Sequence, residues 1–480
     1  MDTDTKKQLF SGITWSAIDK LVTQIGYLVV TLFIAKVIGP ESFGLIGMLT
    51  IFMLLSEIVI NNGFSQALVQ RSHQATEADF STAFYISITL GILLYFILFF
   101  SAPWISAFYK KPELINISRV LFLVIIINSF SIVSRAKLII RVDFKKLAIS
   151  STISTIFSSI IAIYFLFIGY GYWSFVYLIL LRSFFSSTII WFFAHWVPAL
   201  SFSKKSFKQL SKFSINLMFA GFISTLVNNL HIVLIGRYFN ASNVGFFSQS
   251  TNLTNFLAQF ISSTLQKVTY PILTSLKEKE ELLFNLYKQL LSMTMFISFP
   301  IFIGFFAISQ EVVQLFLGKE WLTVVPIIQI LCLARITTPI TIINMNILNA
   351  IGRSDLFLKV ELLKFPIAMI SLFISIPYGI NAVAISILVT AIISYFINAY
   401  YPRKFFGFGA LSQLNAAKNY IFSSSIMCFL IMQFSFESLW INLAFKIIIG
   451  AISYFTVLIL IKDKLITSAL RVFNRKIFRL

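Results

Sequence analysis

Residues 12–66 read GITWSAIDKLVTQIGYLVVTLFIAKVIGPESFGLIGMLTIFMLLSEIVINNGFSQ, and this stretch decides the fold. Two apolar runs, 12–37 and 43–66, flank the short polar turn Gly39-Pro40-Glu41-Ser42. A membrane-spanning helix needs roughly 20 mostly apolar residues, and each run meets that length. The first run is too long for the apolar segment of a secretory signal, carries Asp19 and Lys20, and lacks a convincing cleavage site. It reads as the first spanning helix.

The same pattern recurs outward along the chain. Further runs lie near 80–101, 116–136, 147–168, 172–196, 213–237, 245–268, 285–309, 321–348, 357–377, 380–400, 416–434 and 438–461, about fourteen in all. Composition agrees. Of 480 residues, 58% are apolar and 12% charged, where a soluble domain has about 45–50% and about 25%. The expected fold is an all-α polytopic membrane protein. The eighth run holds Gln249, Asn252, Asn255, Gln259, Ser262 and Ser263, so it should face other helices or water rather than lipid. Cys332 and Cys428 sit in apolar runs, and two cysteines cannot build a Cys-only zinc site. His73, His195 and His231 are far apart. Neither a metal nor another cofactor is expected.

The net charge of +20 is distributed unlike that of a nucleic-acid binder. Alternate loops hold Arg135, Lys137, Arg141, Lys145 and Lys146, then Lys204, Lys205, Lys208 and Lys212, then Arg403, Lys404 and Lys418. The tail adds Lys462, Lys464, Arg471, Arg475, Lys476 and Arg479. Loops of the other parity hold little beyond Lys110, Lys111 and Lys319. By the positive-inside rule the basic side is cytoplasmic, which puts both termini inside. The anionic inner leaflet is the expected partner, not nucleic acid.

An internal repeat adds topology. Residues 38–47, IGPESFGLIG, echo residues 239–248, FNASNVGFFS; Lys36 and Arg237 precede them at the same offset, and Gly44 matches Gly245. Arg141-Val142-Asp143 after the fourth run echoes Arg353-Ser354-Asp355 after the tenth. Both echoes relate helix n to helix n+6, and an even offset makes the repeats parallel, about an axis along the membrane normal. The expected domains are a lobe at 1–200, a second at 201–405, and two added helices with a basic tail at 406–480. Such a plan is that of a transporter with substrate between lobes and alternating access.

Several segments carry a family resemblance. Gly39-Pro40-Glu41-Ser42-Phe43-Gly44 resembles the first extracytoplasmic turn of the bacterial polysaccharide flippases, within the multidrug/oligosaccharidyl-lipid/polysaccharide exporter superfamily. Asn62-Gly63-Phe64-Ser65-Gln66-Ala67-Leu68-Val69-Gln70-Arg71 is similar to that family's helix-two end. Arg141–Ala148 resembles its loop between helices four and five, and Asn349-Ala350-Ile351-Gly352-Arg353 its loop after helix ten. Many relatives place an acid before the glycine where this chain has Asn61-Asn62, so no proton-carrying acid transfers to that spot. The resemblance implies movement of undecaprenyl-pyrophosphate-linked oligosaccharide, a repeat unit of O-antigen, capsule or exopolysaccharide, across the bacterial inner membrane. It also implies downstream polysaccharide polymerase machinery as a partner.

Charges within a bilayer are costly, by about 2.5–3.5 kcal/mol at helix centre, and so point to function or to a partner. Arg182 and Arg335 lie mid-run without a local acid. Both are candidates to grip a pyrophosphate, against the alternative of a cross-helix pair with Asp19 or Glu57. Lys20 is a further candidate substrate contact. So is Lys364, although Glu361 three residues earlier makes local neutralisation the default. Glu57 and Asp19 are the candidates for ion coupling. Lys446 is expected to snorkel outward. His231 with Asn228 and Asn229 forms a polar patch, and Asn344, Asn346 and Asn349 can bond sugar hydroxyls or bridge helices. No Walker A pattern, Ser/His/Asp set or paired carboxylates stand out, so no catalytic residues are expected.

Two other readings compete. A cation-coupled small-molecule exporter of the same superfamily should carry intramembrane acids, whereas here basic groups exceed them. A membrane glycan polymerase or glycosyltransferase should carry a larger extramembrane segment than any here.

Overall fold

Gly39 makes the first turn alone. Its φ of 77° interrupts α1 (Thr3–Glu57) between two helical stretches, a conformation glycine adopts without steric cost. Pro40 already belongs to the second stretch, where its fixed φ suits a first helical position and its missing N–H has no partner to lose. The computed structural model describes residues 3–70, 75–275, 279–351 and 353–467, with side chains described except at 3–22, 61–64, 263–272 and a few scattered positions. Arg71, His73, Gly352 and the tail cations Arg471, Arg475, Lys476 and Arg479 lie outside the described residues.

A π-helical turn, Ile58–Asn62, follows α1 and leads into α2 (Gly63–Gln70). Next come α3 (Glu77–Tyr109), α4 (Leu114–Leu121), α5 (Leu123–Ile140), α6 (Phe144–Phe167), α7 (Tyr172–Ala194), α8 (Lys204–Tyr238) and α9 (Ala241–Ser275). The second half holds α10 (Glu280–Phe316), α11 (Val324–Arg335), α12 (Thr337–Ala350), α13 (Ser354–Ser375), α14 (Ile380–Asn398), α15 (Tyr400–Phe406), α16 (Ala410–Gln433) and α17 (Leu439–Leu460). No strand occurs among the described residues. Starts are set by side chains that accept orphan N–H groups. Thr76 and Asp79 form a capping box on α3. Asp143 accepts from the Lys146 N–H at 3.3 Å to open α6, and Asn240 accepts from the Asn243 N–H at 2.9 Å to open α9.

Ten helical segments among the described residues are long and apolar enough to cross a membrane. The first, Thr23–Ile60, spans parts of both opening apolar runs. α8, α9 and α16 lie outside that set and cover the seventh, eighth and thirteenth runs. The polar character of α9 is turned inward at Ser248, Gln249, Ser250, Thr251 and Thr254, all buried, while Asn252 and Gln259 are exposed. Large apolar side chains face outward elsewhere, among them Phe100, Trp104, Phe167, Phe192 and Leu460, as lipid-facing surfaces require.

The chain packs as two compact units, Met1–Gly245 and Phe246–Leu480. α8 packs against α1, α2 and α3 and falls in the first unit. That unit has a core on Phe80, Phe84, Val133, Ile190 and Trp196. At its edge Lys137, expected in a cytoplasmic loop, is buried. Its ammonium bonds Glu77 at 2.7 Å and lies 4.4 Å from the Phe80 ring centroid. In the second unit α10 packs against α11, α12, α16 and α17, so the two added helices share its core.

Candidate functional site

In the first unit, polar residues of α1, α5 and α7 meet in a few contacts. Glu57 ends α1 where the π-helical turn begins, a distortion often found at functional sites. Glu57 and Asn128 of α5 line one small cavity of about 30 Å³ with Met53, Ile60, Val124 and Ile125, room for about one water-sized occupant. The Ser183 hydroxyl donates to Asn128 Oδ1. Beside it on α7, half-buried Arg182 places its guanidinium carbon 4.1 Å from the Tyr27 ring centroid. A stacked guanidinium keeps its charge, and its N–H edges remain oriented for an anion. Ser187 donates to Ser131 at 3.1 Å one turn further along α7. The structure thus joins Glu57 to Asn128 across one cavity and Asn128 to Ser183 by a hydrogen bond, and sets Arg182 on Tyr27; Tyr27, Asn128 and Ser183 are partners that the sequence reading did not single out. Asn128 and Tyr27 carry no charge and sit in strongly apolar runs, so nothing in the sequence separates them from packing groups.

In the second unit, Arg335 ends α11 at a break in the helix, and Thr337 begins α12. Its Nε is buried and has no hydrogen-bond partner among the described residues. None of the ion pairs among the described residues involves Arg182 or Arg335. Lys364 is paired with Glu361 on the same face of α13, the default for that spacing. The side chains of Asp19 and Lys20 lie outside the described residues, as do those of Asn61, Asn62, Ser263 and Asn349.

Lys446 does not snorkel. It is buried, and its ammonium bonds Glu311 Oε1 of α10 at 2.5 Å, with the Asn442 amide donating to the same oxygen at 3.2 Å. The reason is proximity of an acid 135 positions earlier in the chain. Pairing inside the unit satisfies the ammonium at lower cost than leaving Glu311 alone. A cavity of about 470 Å³ beside this pair is lined by apolar groups of α10, α16 and α17, including Pro300, Gly304, Met427 and Tyr454. Asn344 bridges helices. Its Oδ1 accepts from the Tyr287 hydroxyl at 2.7 Å, and its amide donates to Gln413 Oε1 at 3.2 Å. Asn228 and Asn229 donate to carbonyls one turn back on α8, at 2.8 Å each, and His231 is buried.

The two loop echoes differ in detail. Arg141 donates to the Ala194 carbonyl at 3.2 Å, closing the end of α7. Arg353 instead makes two 2.9 Å bonds to Asp355. Both are exposed, and the guanidinium holds the Asp355 carboxyl below its ordinary range. Cys332 and Cys428 are free thiols.

These helices, ten of them among the described residues long and apolar enough to cross a membrane, define a polytopic membrane protein. The comparisons refine the class. A family described as polysaccharide biosynthesis protein matches residues 33–326, more than half of the chain, and the chain belongs to that family. It is 25% identical over 356 residues to the teichuronic acid biosynthesis protein TuaB of Bacillus subtilis, covering 73% of each chain. It is 22% identical over 367 residues to the lipopolysaccharide biosynthesis protein WzxC of Escherichia coli, covering 75% of this chain and 73% of that one. Among solved structures, the lipid II flippase MurJ in an inward closed conformation superposes with a TM-score of 0.75, at 16% identity, over 95% of this chain and 100% of that one. An inward-facing multidrug resistance MATE family transporter gives 0.67 at 16% identity, over 84% and 99%. The fold is thus that of this transporter group.

Proposed function

We propose that this protein is a flippase for undecaprenyl-pyrophosphate-linked oligosaccharide repeat units, carrying them from the cytoplasmic to the periplasmic leaflet of the inner membrane by alternating access. Membership in the polysaccharide biosynthesis family carries this reading. Its relatives are named for teichuronic acid, succinoglycan and lipopolysaccharide biosynthesis. Three different polymers share one need, passage of a lipid-linked unit across a membrane. The chain crosses about fourteen times in this account, as two parallel six-helix repeats and two added helices, with both ends in the cytoplasm.

Arg182 contacts the pyrophosphate, with Tyr27 holding its guanidinium in place, and Arg335 is the corresponding substrate contact of the second unit. Lys20 is a further phosphate contact on the same reading. Lys364 serves its own helix through Glu361. Glu57, beside a cavity of one ion's size, is the coupling group, with Asp19 the alternative. The apolar groove beside α16 and α17 suits a polyprenyl chain. Polymerase machinery on the far side would draw transport forward by removing product.

The small-molecule exporter is disfavoured because Glu311 and Glu361 are paired with lysines, whereas no ion pair among the described residues involves Arg182 or Arg335. The test is reconstitution in liposomes with a labelled undecaprenyl-pyrophosphate oligosaccharide. Transbilayer movement that requires the protein supports the flippase. Its absence under both proton and sodium gradients, with cationic drugs transported instead, replaces it with the exporter.

A further inference from the structure

Behind Arg182, on the opposite face of α7, lies a groove of about 770 Å³ between α5 and α7. Trp191 stands nine positions after Arg182, about two and a half turns, so the two side chains leave the helix on opposite sides. The groove runs from Phe184 to His195, about 16 Å along α7. Its volume falls within the range of ligand pockets, about 300–1,000 Å³. Phe184, Phe192 and Val197 on its rim are 51%, 74% and 79% exposed. Its back is built of aromatic rings. Phe84 of α3 sits 5.9 Å from Trp191, 6.3 Å from Phe130 and 5.7 Å from Trp196, centroid to centroid. Rings packed against one another in this way fix the shape of the groove before anything enters it.

The polar atoms along the groove are already satisfied. Trp191 Nε1 donates to the Phe130 carbonyl at 2.7 Å, and Trp196 Nε1 to Glu77 Oε2 at 2.8 Å. Ser187 donates to Ser131 at 3.1 Å, and Thr188 to the Phe184 carbonyl at 2.8 Å. Walls whose donors are used up in this way suit hydrocarbon. One end differs. His195 lines the groove there, and Arg141 donates to the carbonyl of its neighbour Ala194 at 3.2 Å. Arg141 is exposed and enters none of the ion pairs among the described residues. A guanidinium has donors beyond the one N–H used at Ala194. The nearby acid, Glu77, is paired with Lys137. This end lies on the side that the basic loops make cytoplasmic, where the leaflet is anionic. An apolar slot with a cationic end matches a hydrocarbon chain joined to an anionic headgroup.

We propose that the groove between α5 and α7 binds an anionic phospholipid of the cytoplasmic leaflet, with one acyl chain along Phe130, Trp191 and Phe192 and the phosphate at Arg141 and His195. The bound lipid braces from outside the two helices that carry Asn128 and Arg182 on their other faces. The proposal takes its leaflet from the basic-loop asymmetry and does not depend on the flippase reading.

The test is nitroxide quenching of a bimane attached at Phe192→Cys, in a Cys332→Ala, Cys428→Ala background and in phosphatidylcholine vesicles. The quencher is a minor fraction of phospholipid spin-labelled on its acyl chain, either phosphatidylglycerol or phosphatidylcholine. Phosphatidylglycerol is expected to quench about fivefold more efficiently, the preference that one arginine near an anionic lipid supplies. At Phe429→Cys, 63% exposed on α16, the two lipids are expected to quench alike. Arg141→Gln is expected to remove most of the preference at Phe192→Cys. Equal quenching there without the Arg141 change overturns the proposal, since ordinary boundary lipid then fills the groove. So does a preference that persists in folded Arg141→Gln protein. If Arg141→Gln does not accumulate, Thr188→Trp decides, because it fills the groove from an exposed position; a preference that survives it places the lipid elsewhere. Absence of quenching by either lipid means that protein, a second copy of this chain included, covers the groove. Stronger displacement by unlabelled undecaprenyl phosphate than by unlabelled phosphatidylglycerol makes it a polyprenyl site. Both of these results overturn the proposal. No arm uses an oligosaccharide or reads transport, so failure here leaves the flippase reading where it stands.

Discussion

Two sites, one in each unit, handle charge in opposite ways. In the second, Glu311 and Lys446 meet in a buried pair to which Asn442 adds a hydrogen bond, so the net charge there is zero. In the first, Arg182 rests on the face of Tyr27, which orients the guanidinium and leaves its charge uncancelled. The lesson is that the partner, not the depth, separates scaffold from ligand site. A carboxylate partner joins α10 to α17 and uses up the ammonium. An aromatic partner holds the arginine in place and leaves it available to an anion.

That contrast can be broken from the scaffold side, where the largest effect is expected. Lys446→Ala strands the Glu311 carboxylate and should cost about 3–5 kcal/mol of stability, read as a large fall in melting temperature in detergent. Glu311→Leu with Lys446→Met removes both charges and should recover most of that loss, since apolar replacement of a buried pair is often neutral. A double variant as unstable as the single one would mean that the pair itself, not the stranded charge, supplies the stability.

The ligand side predicts losses of activity rather than stability. Arg182→Ala should slow flipping at least tenfold, or about 1.4 kcal/mol at the transition state, with little change in melting temperature. Arg182→Lys should recover only part, because an ammonium lacks the planar fork. Tyr27→Phe keeps the ring, loses only the hydroxyl's hydrogen bond with Arg182 and should preserve most transport, whereas Tyr27→Leu also removes a ring contact worth about 0.5–2 kcal/mol and should slow it several-fold.

The smallest effect is at the exposed Arg353–Asp355 pair. The Asp355 carboxyl is held below its ordinary range, so its contribution is present at neutral pH and is lost as pH falls through that lowered value. Arg353→Gln should move the titration of an isotope-labelled Asp355 upward in carboxyl NMR, with no measurable change in transport, because surface pairs contribute little.

The fold was largely legible because spanning helices announce themselves by length and apolarity alone. The turn at Gly39 was also readable, since Gly-Pro leaves few alternatives. Within the site, Arg182, Arg335 and Glu57 were visible because a charge in an apolar run is rare. Their partners were not. Tyr27 is one of 17 tyrosines, and its stacking depends on how α1 meets α7. Lys446 was misread for the same reason, since its acid lies on a distant helix and spacing along the chain cannot find it. Lys364, whose partner is three residues away, was readable. Local pairs are written in the sequence, and long-range ones exist only once the helices have packed.

The most direct test sets Arg182→Ala against the Glu311→Leu, Lys446→Met double variant in one liposome assay of labelled undecaprenyl-pyrophosphate oligosaccharide. The account predicts that Arg182→Ala flips at least tenfold more slowly than the parent while the double variant flips at the parental rate. Equal rates for Arg182→Ala and the parent, with transport lost in the double variant, would contradict it and place the working charge at the Glu311–Lys446 pair.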